Sequence, residues 1–304
     1  KYKVSVIYGN LSPEIRREEA RKFLAGETEV LVSTDAIAMG LNLPIERIIF
    51  AKANKFDGES IRDLTTSEIL QISGRAGRYG MFDVGYIGAL DSVTLKKIAK
   101  LSANNMPDIK LPLKVMPNIE HIKLISSILE TESIQTILSF FVKNMSFDGP
   151  FKANRIESLD EISAIIDKYQ LDVYQKYHLC NAPISLNSPY IMSKFITYIE
   201  AIEREEKIEF TQLVKLHNEA QTMKELLIAE DIIKDSSIYS WLSYRFPEIF
   251  IDVESAIISK KDVNRYIIKS LKKSDFAKSC RKCHKVLPKN SSHNLCKRCY
   301  IKFY

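Results

Sequence analysis

Residues 71–80 read QISGRAGRYG. Two arginines, Arg75 and Arg78, stand three apart among Gly74, Gly77 and Gly80, behind Gln71. Arginine loses much rotamer freedom when it is fixed, and glycine loses the most backbone freedom of any residue. A chain that combines them this closely orders both around something. On the residues alone, three readings are open. One is a surface turn with two solvated arginines. Another is a static anion site of backbone amides and guanidinium forks. The third is a pair of cations reaching across a cleft to a transferring γ-phosphoryl group. Positions i and i+3 of a helix share a face, so the spacing favours the third. Gly74 and Gly77 would then remove side chains that block close approach. The usual phosphate cradle, GxxxxGK[ST], is absent from these 304 residues, as is a DExD or DExH acid box.

Around this stretch, residues 1–90 alternate strand and helix signals. KVSVIY is a short β-rich run ended by Gly9-Asn10. Ser12 and Pro13 then predict a helix start, as N-cap and first helical residue, and Gly26 closes that helix. EVLVST, ERIIFA and VGYIGAL read as further strands, and TSEILQIS as another helix running into the glycines. Short apolar strands alternating with helices predict a parallel sheet covered on both faces. The strand EVLVST ends in Ser33-Thr34-Asp35, with Gly40 and Asn42 shortly beyond. Hydroxyls at a strand's carboxyl end can donate to a phosphate backbone; alternatively, Thr34 and Asp35 simply cap a helix.

STDAIAMGLN and QISGRAGR resemble motifs V and VI of superfamily-two helicases, and VSVIYGNLSPEIRREEARKF resembles the motif IV region. MGLNLPIERIIF with TTSEILQISGRAGRYG is most similar to the mitochondrial degradosome RNA helicase family. YQKYHLCNAPISLNSPY and SSIYSWLSYRFPEIF resemble that family's helical carboxyl-terminal region, so the resemblance spans roughly residues 1–255. It implies an ATP-dependent, Mg2+-requiring RNA unwinding enzyme with ATP between two RecA-like domains, of which this chain supplies the second. On that resemblance Arg78 is the arginine finger, Arg75 the neighbouring γ-phosphate contact, and Gln71 an organiser of water and phosphate. Gly40, Asn42, Asp35 and Gly74 fall near the nucleotide, and Thr34, Ser33 and Gly9 at the RNA backbone. Many relatives carry Asp where Asn42 stands, and Arg where Ile72 stands. The resemblance also brings in an exoribonuclease partner. Two other readings stay open: a non-catalytic RNA- or protein-binding module on a helicase scaffold, and a DNA helicase.

The expected architecture is a RecA-like α/β domain over 1–95, an all-α domain over 96–270 and a small zinc-binding tail over 276–304. In the middle region the periodic apolar positions Ile119, Ile122, Ile125, Ile128 and Leu129, then Ile134, Ile137, Leu138 and Phe141, mark helices. Trp241, Tyr244 and Phe246 read as core or interface, and Cys180 as a small buried hydrophobe.

The tail decides the charge. The chain carries +6 overall, and from Phe276 onward there are eight basic and no acidic residues, which leaves about −2 for everything before. Cys280, Cys283, Cys296 and Cys299 form two CxxC pairs twelve residues apart. Each pair lets two thiolates converge on one tetrahedral ion, so the spacing points to Zn2+. His284 and His293 are available as substitute ligands. Arg281, Lys282, Lys297 and Arg298 flank the thiols and suit RNA phosphates, against a solvated or protein-docking knuckle. Four cysteines clustered on one site argue against a secreted disulfide scaffold. No apolar run approaches the roughly 18 residues of a membrane span. A chain opening inside a strand without methionine reads as an excised piece. Localisation is expected to be cytoplasmic if the source is bacterial, with the mitochondrial matrix as alternative.

Overall fold

The structure, a computed structural model, describes residues 2–9, 11–38, 42–57, 60–77, 82–106, 108–154, 157–186, 188–212, 214, 216, 218–273, 287 and 299–300. It divides into two compact units, Lys1–Ile109 and Lys110–Tyr304.

The first unit opens with β1 (Val4–Ile7), α1 (Pro13–Leu24) and β2 (Val30–Ser33). Ser12 caps α1, its side chain accepting from Ile15 N, and Pro13 occupies the first helical position, as the sequence predicts. Gly26 lies just past the helix end at φ +68°, a conformation that costs glycine nothing. β1 and β2 pair in parallel from Val4↔Val30 to Ile7↔Ser33. A short 3-10 turn (Asp35–Ala38) leaves β2, and the chain continues through β3 (Arg47–Phe50), β4 (Asn54–Phe56), β5 (Ile61–Asp63), α2 (Thr66–Ser73), β6 (Tyr86–Ala89) and α3 (Ser92–Ser102). β3 pairs in parallel with β6, whereas β4 and β5 form an antiparallel hairpin that the sequence reading did not foresee.

Ile7, Ile37, Ile45, Phe50, Leu64, Ile69, Ile72 and Ile98 form one core. The expectation of a sheet covered on both faces is only half met. Val30, Val32, Ile49 and Ile87 remain exposed, so the described helices bury one face of these strands.

The second unit holds β7 (Leu113–Val115), α4 (Ile119–Leu129), α5 (Ile134–Asn144), β8 (Phe151–Ala153), α6 (Glu157–Ile166), α7 (Val173–Cys180), α8 (Pro189–Glu203), α9 (Met223–Ser243) and α10 (Val253–Lys273). The expectation of an all-α region is corrected here: β7 and β8 pair in parallel, Leu113↔Phe151 to Val115↔Ala153. The helical periods are otherwise realised. Ile122, Ile125, Ile134, Ile137 and Phe141 lie in a large core with Phe195, Tyr198, Tyr239 and Phe250, while Ile128 points outward. Burying each such side chain stabilises by about 1.5–3 kcal/mol. Cys180 is buried among them, and burial pushes its thiol up to about 12, so it packs as a hydrophobe and is not reactive.

Candidate functional site

Parallel pairing in the first unit brings three of the expected backbone-contacting residues to one edge. β1 and β2 end side by side, so Gly9 and the Ser33-Thr34 pair follow neighbouring carboxyl ends, tied by Thr34 N donating to Ile7 O at 3.2 Å. Thr34 Oγ1 accepts from Ala36 N at 3.3 Å, which is the capping role the residues alone also allowed. Its hydroxyl proton remains available to an outside acceptor.

Asp35 is exposed and ion-paired. Its Oδ2 accepts from Lys55 Nζ at 2.7 Å, on β4 of the hairpin. Lys55 also meets Glu68 Oε1 at 2.7 Å, and Arg62 on β5 grips the same carboxylate with Nη1 and Nη2, both at 2.9 Å. Glu68 in turn closes a capping box with Thr65 at the start of α2. The Arg62 guanidinium, with Lys55 and Thr65 adding, holds the Glu68 carboxyl well below the usual range against the opposing effect of burial. Asp35 with Glu68 holds the Lys55 ammonium charged. Thus the hairpin clasps both the turn after β2 and the helix leading to the glycine–arginine stretch. Sequence reading missed this clasp, although Asp57-Gly58 is a hairpin signal and Thr65-x-x-Glu68 a capping-box signal.

α2 stops at Ser73, with Gly74 as its C-cap, and Gly77 adopts φ +67°. The helix that the i, i+3 argument assumed therefore ends before Arg75. The glycines also have a nearer reason than ligand approach. A Cβ at Gly77 would run into the backbone of Gly85, and one at Gly74 would crowd Leu70 O. Ala76 bridges to Ile45 in parallel and Gly77 N donates to Ile45 O at 2.9 Å, which fixes the stretch near the amino end of β3.

Arg75 is half-buried and turned inward. Its Nε donates to Ala38 O at 3.0 Å, and its Nη2 donates to the same carbonyl. It joins the turn after β2 to the end of α2, where the sequence reading placed it on a γ-phosphate. Gln71, on the last turn of α2, and Asn42 are exposed. Gly40 and Arg78 lie outside the described residues. So do Cys280, Cys283, Cys296, Arg281, Lys282, Lys297 and Arg298. Cys299 is buried, and no group of three metal-ligating side chains occurs among the described residues.

A parallel-stranded unit whose Ser/Thr turn and glycine–arginine stretch are linked through Arg75 is that of a helicase carboxyl-terminal domain, and residues 1–80 match the family described as "Helicase conserved C-terminal domain". Residues 161–202 match "Suv3 C-terminal domain 1" and residues 226–273 match "ATP-dependent RNA helicase SUV3 C-terminal domain". In chain order, these matches make the chain similar to the carboxyl-terminal region of SUV3-type helicases. It is 35% identical over 301 residues to "ATP-dependent RNA helicase SUV3, mitochondrial" of Oryza sativa subsp. japonica, which covers 95% of this chain and 51% of that protein. It is 32% identical over 275 residues to "DExH-box ATP-dependent RNA helicase DExH16, mitochondrial" of Arabidopsis thaliana, covering 88% and 48%. To "ATP-dependent RNA helicase SUPV3L1, mitochondrial" of Gallus gallus the identity is 31% over 261 residues, covering 82% and 33%. The chain thus spans about half the length, or less, of these relatives.

Proposed function

We propose that this region is the second half of an ATP-driven RNA-unwinding motor that acts in RNA decay or processing. In this reading Gln71, Arg75 and Arg78 serve a nucleotide with Mg2+ shared with a first RecA-like domain, Gly40, Asn42 and Gly74 lie beside it, and Gly9, Ser33 and Thr34 hold RNA phosphates. One observation carries it: the two Arg75 hydrogen bonds to Ala38 O tie the turn bearing Thr34 to the stretch bearing the arginines. A strut of that kind lets a change at a terminal phosphate reach the RNA edge. ATP supplies a transferable γ-phosphoryl group, and the residues here orient and neutralise it. The mitochondrial names of the relatives favour the matrix over a bacterial cytoplasm, and no described helix is long and apolar enough to cross a membrane. An exoribonuclease partner follows from the degradosome resemblance.

The test is ATP hydrolysis by the full-length protein with RNA and DNA side by side. RNA should stimulate turnover, and the 304-residue chain alone should show none, because it has no GKT loop. Turnover by the chain alone would refute the division of labour. Equal stimulation by DNA would favour the DNA-helicase reading, and a full-length protein that hydrolyses no ATP would favour the non-catalytic module.

The same proposal gives the tail one Zn2+ on Cys280, Cys283, Cys296 and Cys299. Four thiolates and the ion sum to −2 against the tail's +8, leaving about +6 for RNA phosphates near Arg281, Lys282, Lys297 and Arg298. With few apolar residues of its own, the tail should depend on metal. Elemental analysis should find one zinc per chain, and EDTA should expose all four thiols to a thiol reagent while helical circular dichroism holds. Purified chain without zinc, or with thiols indifferent to EDTA, rules the site out.

A further inference from the structure

Among the described residues, Arg245 is a partly buried cation without a carboxylate partner. It follows α9, and its guanidinium lies over the Trp241 ring, Cζ 3.3 Å from the centroid. Its Nη1 donates to Trp241 O at 3.0 Å, and its Nε is buried without a partner. No Asp or Glu among the described residues pairs with it. Burial disfavours its charge, and the nearby Tyr174 hydroxyl is the one polar group that favours it. Across from it stands α7. His178 packs edge-on to Tyr174 at 4.2 Å and to Phe246 at 6.4 Å between ring centroids, and its Nε2 is also buried and unpartnered. Burial and Arg245 both push that imidazole down.

Unpaired buried polar atoms are uncommon, and a charged one costs more than a neutral one. A structural role alone explains the stacking of Arg245 on Trp241 but not the lack of a carboxylate partner or of any acceptor for Nε. With Nε enclosed and Nη1 tethered, Nη2 is the atom without a hydrogen bond that is left to meet a ligand. Beside it, Tyr174 leaves 44% of its surface open. A fixed cation next to an exposed ring is the pairing that single-stranded nucleic acid uses, phosphate on the guanidinium and base on the aromatic face.

We propose that Arg245, Trp241 and Tyr174 form a contact site for single-stranded RNA, with Nη2 of Arg245 binding a phosphate oxygen and the Tyr174 ring stacking on a base. Trp241 holds the guanidinium and does not itself meet the strand. The site rests on the RNA reading above and adds to it residues on α7 and α9.

The chain contains one tryptophan, so its emission reports this cluster. The 304-residue chain is titrated with an oligouridylate of about 12 nucleotides, with uridine monophosphate and with polyglutamate. A labelled copy of the RNA follows total binding by anisotropy. The oligonucleotide should change Trp241 emission saturably, less so as salt rises, and at equal nucleotide concentration more than the monophosphate does. Tyr174→Ala and Arg245→Gln should each weaken RNA binding about tenfold, in line with about 1–3 kcal/mol per stacked base. Tyr174→Phe should bind as the parent does. Since Tyr174 is half exposed, its alanine variant tests the site even where Arg245→Gln folds poorly. RNA binding by anisotropy with silent Trp241 and an unaffected Tyr174→Ala would overturn the site and leave the RNA reading standing. Equal responses to the monophosphate, or to polyglutamate, would overturn it in favour of a nucleotide or acidic-peptide site. No RNA binding by either readout would remove both.

Discussion

Lys194→Met should lower the stability of the helical unit by about 3–4 kcal/mol at pH 7, and by much less at pH 5. Asp235 on α9 is fully buried and accepts from Tyr198 Oη at 2.6 Å and Tyr190 Oη at 3.2 Å, with Lys194 Nζ at 3.7 Å. Burial raises this carboxyl, while the phenols and the ammonium pull it back. Removing one partner of a buried ion pair is strongly destabilising, typically about 3–5 kcal/mol, because a charge is left uncompensated. Here a ceiling applies. The carboxyl can protonate instead, and from an ordinary value near 3.9 that costs about 4 kcal/mol at pH 7 and about 1.5 kcal/mol at pH 5. The sign follows. A carboxyl whose folded value is raised favours the folded state below its unfolded value and loses that advantage as pH rises through the folded value. The variant should therefore be rescued by mild acid. Methionine keeps the stem packed, so the loss reports charge and not a cavity. Urea unfolding followed by Trp241 emission at both pH values decides it. An equal deficit at pH 5 and pH 7 would show that Lys194 acts through packing or through its 3.0 Å bond to Thr211 O.

The Asp235 cluster was not legible in the sequence, and the reason is distance along the chain. The carboxylate sits in DIIKDSS with nothing local to mark it, and its partners Tyr190, Lys194 and Tyr198 lie on α8, 37–45 positions away. Features set by neighbours were legible: Ser12 and Pro13 at the start of α1, Gly26 past its end, and the buried faces of α4 and α5. Strands of three residues were not. β7 and β8 carry too few positions for a period of two, and only their pairing with each other identifies them. At the candidate site, Arg75 meets the turn after Thr34 across 37 positions, a contact that no local spacing announces. A helical spacing was assumed across this stretch, whereas α2 ends at Ser73 and Gly77 takes a positive φ.

Substitution should distinguish the two arginines. In the full-length protein, Arg78→Ala should lower kcat for RNA-stimulated ATP hydrolysis by about 10³–10⁵-fold, the range removed with an arginine finger. It should leave the melting of the first unit unchanged. Arg75→Ala should do something different. Ala38 O would lose both of its guanidinium donors, and hydrogen bonds to charged groups contribute about 1.5–3 kcal/mol. The first unit should then melt at lower temperature, and RNA affinity and hydrolysis should fall together, since the strut holds the Thr34 turn as well as the arginine stretch. Arg75→Lys should not rescue it, because a single ammonium cannot present two converging donors to one carbonyl. A kcat for Arg78→Ala within tenfold of the parent would remove the finger role. An Arg75→Ala protein that melts like the parent would remove the strut and leave Arg75 its role at the nucleotide alone.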